Sequence, residues 1–298
     1  MIWLAYAAMC LIWGTTWLVI KIGLNYVPPV TGVGLRFLVA GLVLYVVALA
    51  RRDVPAPRAV PWKVVLALAT LLFGFNYVVV YVAETRLESG LVAVLFGTAP
   101  FFVFAFGKLI AGERANAGVW AGAAVAFGGV AMICLGGQLR ASPIYAFAVI
   151  AGAAAAAFAN LYAKRHAEYG PLVTLPPSMT LAGVVLSAYG LATERVDWTL
   201  AIAPPSLGAI AYLALIGSGF AFFLNFWVLQ RVPAWVVGLM PLILPLVAVT
   251  AGVAFGGEHF APREALGSAA VIVGVAIALV QQRKTRTSER LTPSIRTA

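Results

Sequence analysis

Residues 99–113 read APFFVFAFGKLIAGE and residues 244–258 read LPLVAVTAGVAFGGE. Ala99-Pro100 and Gly112-Glu113 thus return 145 positions later as Leu244-Pro245 and Gly257-Glu258. The same offset carries Gly122 to Gly267 and Gly129-Val130 to Gly274-Val275. At the starts of the halves, Lys21, Tyr26, Pro28 and Thr31 return at an offset of 143 as Lys164, Tyr169, Pro171 and Thr174. Two offsets that differ by two residues describe one unit copied in tandem, with a small length change between its ends. A doubled membrane unit is a common way to build a central site with two alternately open sides.

Composition names the solvent. Of the 298 residues, 63% are hydrophobic and 10% charged, and the mean hydropathy is +0.99. Water-soluble packing cannot hide that much apolar surface. A helical span takes about 20 mainly apolar residues, and the chain resolves into ten predicted spans: 3–25, 30–50, 62–83, 89–110, 115–137, 143–165, 171–193, 206–230, 234–256 and 263–282. The predicted organisation is an all-α polytopic membrane protein, with a first five-helix repeat over 1–140, a second over 141–282 and a basic tail over 283–298.

The net charge of +10 invites a nucleic-acid reading, but position argues against it. With the N-terminus on side one, loops and ends on that side collect 14 of the 20 basic residues, including Arg51, Arg52, Lys108, Arg114, Lys164, Arg165 and the tail. The excess of Lys and Arg puts side one, and both termini, in the cytoplasm. The tail is then a solvated or headgroup-facing segment. An odd number of spans per repeat makes the second copy enter from the opposite side, so parity alone predicts an inverted repeat. Trp17 and its equivalent Asn160 agree: one lies past the middle of its span toward the outside, the other toward the cytoplasm. Cys10 and Cys134 lie inside spans and read as small apolar packing rather than a disulfide. Met1-Ile2-Trp3 lacks the basic n-region of a cleavable signal.

All ten acidic residues and both histidines fall at span ends or in loops. A carboxylate proton relay at mid-depth is not expected, while a sodium site made from backbone carbonyls would leave no such mark. No nucleophile has a base at comparable depth, and no metal-ligand set with the right spacing occurs, so the reading is not an enzyme, with no cofactor and no metal.

What the spans do hold is aromatic rings, amides and broken helices. Trp13, Trp17 and Lys21 recur every four residues on one face of span one. Two Trp at mid-depth read as facing a cavity or another helix. Span three offers Asn76, Tyr77 and Tyr81; span six offers Asn160; span eight offers Ser218, Phe222 and Asn225. Thr98 joins the set beside Pro100. An amide in hydrocarbon must find a partner or water, so these groups are either glue between helices or donors and acceptors for a polar ligand. Coming from both halves, they suit a site at the repeat interface. Pro100, Pro241 and Pro245 free backbone carbonyls near the middle of spans four and nine and are candidate hinges. Gly118, Gly122 and Gly129, with Gly267 and Gly274, form small faces for helix packing or a dimer contact. Lys21 and Arg36 lie toward the outer ends of their spans, where they either attract a substrate carboxylate to an outer vestibule or snorkel to headgroups.

With Trp13-Gly14-Thr15-Thr16-Trp17, Lys21, Arg36, Ala99-Pro100, Gly112-Glu113-Arg114, Pro245 and Gly257-Glu258, the chain resembles the EamA domain of the drug/metabolite transporter superfamily, over about residues 3–282. Within it, length and layout look most like the YddG-type exporters of aromatic amino acids. The second copy departs at Met179, where the first has Arg36, and at Asn160, where the first has Trp17. The resemblance implies ten helices around a central cavity, lined mainly by spans one, three, four, six, eight and nine, and export by alternating access. Expected partners are a small-molecule substrate and the lipid bilayer of the cytoplasmic membrane, not nucleic acid, with the chain a monomer or homodimer. An aromatic cavity with a few amides suits a neutral, zwitterionic or aromatic solute. A nucleotide-sugar or other phosphorylated-metabolite carrier would need deep Lys or Arg, and no deep cation is expected. A membrane binding or scaffold protein that moves nothing is the remaining alternative.

Overall fold

In the computed structural model, residues 1–52, 60–87, 89–134, 143–247 and 262–291 are described, and every regular element among them is helical. The helices are α1 (Ile2–Leu24), α2 (Pro29–Ala50), α3 (Trp62–Glu84), α4 (Ser89–Phe96), α5 (Ala99–Ile110), α6 (Ala117–Cys134), α7 (Pro143–Arg165), α8 (Pro171–Thr193), α9 (Pro204–Leu229), α10 (Ala234–Gly238), α11 (240–247) and α12 (Pro262–Leu291), with a single turn Trp198–Ala201 before α9. Lipid offers no partner for backbone N–H and C=O groups, so each span satisfies its own by helical bonding. Pro29, Pro171 and Pro204 open their helices, where the missing proline N–H costs nothing.

Among the described residues, seven helices are long and apolar enough to cross a membrane, Leu91–Ile110 being counted as one. Three shorter apolar helices, Ala117–Met132, Ala234–Val247 and Ala265–Gln281, fall on the other three predicted spans. Residues 248–261 are outside the described residues, and with them Gly257-Glu258 of the repeat. Helix α12 runs on to Leu291, past the predicted end of span ten at 282.

Two helix pairs pack closest, and glycine lets them. A Cβ on Gly34 would stand 2.4 Å from the Ser187 amide, one on Gly41 2.6 Å from that of Thr180, and one on Gly183 2.3 Å from that of Leu38. Numbers that rise along α2 meet numbers that fall along α8, so these helices are antiparallel. Likewise Gly122 meets Ala278 and Gly129 meets Val271, making α6 and α12 antiparallel. These glycines serve packing between helices, as small residues do where lipid supplies no hydrophobic drive.

Helices α3 and α9 each depart from α geometry over nine residues, π-helical at Leu68–Asn76 and at Tyr212–Phe220. The two stretches lie 144 residues apart, between the two offsets read from the sequence. The helix of span four breaks at Gly97-Thr98, with Pro100 opening α5. The helix of span nine breaks at Leu239, with Pro241 in the corresponding place at the start of α11. By position in the break, Pro100 therefore matches Pro241, not Pro245 as the sequence pairing had it. Pro245 is buried one turn further on.

Candidate functional site

A cavity of about 130 Å³ lies among the helices. Its wall takes Trp13, Thr16, Trp17 and Ile20 from α1; Leu72, Asn76, Tyr77 and Val80 from α3; Phe96, Ala99 and Val103 from α4 and α5; Ala156, Ala157, Asn160 and Leu161 from α7; Phe222, Asn225 and Leu229 from α9; and Ala234, Val237, Gly238, Met240, Pro241 and Leu244 from α10 and α11. These helices are spans one, three, four, six, eight and nine.

One wall is a run of edge-on rings. Trp13 meets Phe222 at 5.1 Å between centroids, Phe222 meets Tyr77 at 6.1 Å, and Tyr77 meets Phe37 at 4.8 Å. Trp17 meets Phe96 at 6.3 Å. Edge-to-face geometry sets positive ring edges on negative faces and fixes ring orientation. Trp13 is pinned further, because its indole N–H donates to the Gly217 carbonyl over 3.0 Å, within the π-helical stretch of α9. Such stretches are frequent at functional sites.

The amides divide. Asn225 donates to the Asn160 Oδ1 over 3.1 Å, and Asn160 donates to the Ala156 carbonyl over 2.9 Å. Each is thus tied to a neighbouring helix or its own. Asn76 differs. It is 3% exposed, lines the cavity, and its Oδ1 has no hydrogen-bond partner. A buried carbonyl oxygen left unpaired costs about 1–3 kcal/mol, and this one lies against Gly152 of α7, 3.3 Å from where a Cβ there would stand.

Of the predicted substrate-binding residues, the cavity brings together Trp13, Trp17, Asn76, Tyr77, Asn160, Phe222 and Asn225, with Pro241 of the predicted hinges. Thr98 is not on the wall; its hydroxyl donates to the Leu95 carbonyl at the break before α5. Ser218 and Tyr81 are buried away from the wall and hold Arg36. Lys21 is exposed, as a snorkelling lysine would be.

Arg36 corrects the sequence reading. It is 1% exposed, so it neither snorkels nor stands in an open vestibule. It lies seven residues into α2, about 10 Å along the axis, where a charged side chain costs about 2.5–3.5 kcal/mol on insertion scales. Its Nε donates to Ser218 Oγ at 2.7 Å, Nη1 to the Tyr81 hydroxyl at 3.2 Å and Nη2 to the Gly217 carbonyl at 3.2 Å. Its Cζ is 4.8 Å from the Tyr77 ring centroid. The expected absence of a deep cation therefore fails: the partners on α3 and α9 draw the side chain inward, and a position along one helix does not reveal them.

Sequence reasoning missed most of the apolar wall. One signal was available for part of it. Residues 153–157 are five consecutive alanines, and at Ala156 and Ala157 the short side chain leaves space where a larger one would fill the cavity.

The described helices make the chain a polytopic membrane protein with an internal cavity. It belongs to the EamA-like transporter family, whose model matches residues 1–135 and again 143–280. A protein of Escherichia coli K12 named as an uncharacterized inner membrane transporter, YedA, is 30% identical over 280 residues, covering 92% of this chain and 89% of that one. A probable amino-acid metabolite efflux pump of Salmonella typhimurium LT2 is 25% identical over 289 residues, covering 93% and 94%. A solved crystal structure at 20% identity superposes with a TM-score of 0.81 over 95% of this chain and 97% of the other, a likeness of fold.

Proposed function

We propose that this transporter exports aromatic or hydrophobic amino acids across the bacterial inner membrane by alternating access. The observation that carries the reading is Asn76: a buried amide, its oxygen without a protein partner, on the wall of a cavity it shares with Trp13, Trp17, Tyr77 and Phe222. An aromatic wall takes an apolar side chain, and the amide oxygen takes an ammonium N–H. A relative named as an amino-acid metabolite efflux pump supports the substrate class, and one named as an inner membrane transporter supports the location.

The architecture that goes with this reading is ten spans in two inverted repeats, 1–140 and 141–282, with both termini and the 283–298 tail in the cytoplasm. Antiparallel packing of span two on span seven and of span five on span ten supports inversion, and the paired π-helical stretches support the repeat itself. The breaks at Pro100 and Pro241 supply the places where bundles bend. Purified protein in liposomes should move phenylalanine or tryptophan down an imposed gradient. If it moves no amino acid and no hydrophobic metabolite, the reading is wrong.

A further inference from the structure

We infer that Arg36 is a receptor for a carboxylate on the transported solute, an assignment that rests on the export reading and narrows its substrate class. A guanidinium has five N–H donors. Three are taken, by Ser218, Tyr81 and the Gly217 carbonyl, and the Tyr77 hydroxyl is within reach of a fourth, which leaves at least one. Every one of those acceptors is neutral, and among the described residues no carboxylate pairs with Arg36. Hydroxyls, a carbonyl and the Tyr77 ring face steady the cation without cancelling its charge. Arginine cannot relieve a buried charge by losing its proton, so the site holds an unanswered positive charge. A buried charge is ordinarily paired.

Place makes the missing anion a solute. A second hollow of about 20 Å³ is lined by Arg36 and Tyr81 together with Gly23, Leu24 and Ala209, toward the α1–α2 connection. Ile20 lines both this hollow and the main cavity, and Tyr77, under the guanidinium, lines the main cavity. Arg36 therefore lines the smaller hollow and is separated from the main cavity by the Tyr77 ring. An N–H left on a guanidinium, backed by its full positive charge, suits a carboxylate oxygen as a charge-assisted acceptor. A doubly charged phosphate would leave a negative charge unmet by this single cation.

Ligand-dependent thermal stabilisation of the purified transporter tests this, with phenylalanine, phenylpropionate, phenylalaninol and benzyl phosphate as probes. The wild type should bind the two carboxylates about tenfold or more tighter than the alcohol, since a buried donor left unpaired rejects the analogue that cannot fill it. Arg36→Gln should bring that ratio near one while leaving phenylalaninol affinity in place. If Arg36→Gln yields no folded protein, Arg36→Lys decides, because a strongly hydrated point cation replaces the planar guanidinium and should cut the ratio several-fold. A wild type without carboxylate preference, a preference for benzyl phosphate, a variant that keeps the ratio, or one that weakens carboxylates and alcohol alike overturns the assignment. Binding of phenylpropionate lost in Arg36→Gln, with no amino-acid flux in liposomes, would sink the amino-acid reading and leave the carboxylate receptor standing.

Discussion

Glu113 and Lys164 close an ion pair of 3.0 Å at one end of the cavity. The second carboxylate oxygen of Glu113 accepts from the Ala234 amide over 2.6 Å at the start of α10. Lys164 also donates to the carbonyls of Leu229, at 2.8 Å, and Val232. One carboxylate after α5 thus joins the ends of α7, α9 and α10. Both side chains are mostly buried, at 15% and 24% exposure, so solvent screens the pair less than at an open surface. Glu113→Ala strands the Lys164 ammonium and the Ala234 N–H. It should cost about 1–3 kcal/mol, read as a lower Tm in detergent, with Glu113→Gln losing less. The same change should raise labelling of a cysteine placed at Leu229 from the adjacent membrane face. Unchanged labelling would mean that this cluster does not hold that end closed.

Asn76→Ala separates binding from folding. The Asn76 oxygen has no partner to abandon, so its removal orphans nothing, and Tm should hold or rise. Liposome flux should fall by about tenfold or more if the oxygen meets substrate, as buried polar contacts in a site do. Trp17→Ala should also lower flux more than it lowers the amount of inserted protein. A matching loss of inserted protein would assign both residues to structure.

Asn160 and Asn225 predict the opposite pattern. Asn225 donates to the Asn160 oxygen, so Asn225→Leu leaves that oxygen without its donor and should cost about 0.6–2 kcal/mol, the range for bonds between membrane helices. The double variant Asn160→Leu with Asn225→Leu should recover part of that Tm. A double-mutant cycle with no coupling would show that the 3.1 Å bond contributes nothing.

Gly183 and Gly208 form a matched pair for packing. A Cβ at Gly183 would lie 2.3 Å from the Leu38 backbone nitrogen, whereas at Gly208 nothing lies within 4 Å. Gly183→Ala must separate α2 from α8 and should sharply reduce folded yield. Gly208→Ala meets open space and should be neutral or stabilising by up to about 1 kcal/mol, the helical preference for alanine over glycine. Equal behaviour of the two would contradict the close antiparallel packing of α2 and α8.

The sites differ in how legible they were. Asn76, Asn160 and Asn225 stand out in any reading because an amide in an apolar run has so few reasons to be there. Tyr77 and Tyr81 share a face one turn apart, yet only Tyr77 reaches the cavity wall while the Tyr81 hydroxyl turns to Arg36. Pro245 matches Pro100 by offset, yet the break in span nine falls at Leu239 beside Pro241. A proline permits a break, and neighbouring helices decide where the hydrogen-bond ladder opens. Arg36 was the largest misreading, since a charged residue near a span end has two directions open to it.

Sequence alone determined that lipid surrounds this chain, that one unit was copied, and which helices carry polar groups. Those properties follow from composition and spacing, which are local and additive along the chain. Only tertiary structure decided that the Asn76 oxygen is left without a partner while Asn225 donates to the Asn160 oxygen, and that Arg36 turns inward to Ser218 and Gly217. Such outcomes depend on which residues, about 180 positions away in the case of Arg36, arrive within 3 Å or so. Hydrogen-bond strength changes steeply over that last ångström, and no periodicity in the chain encodes it.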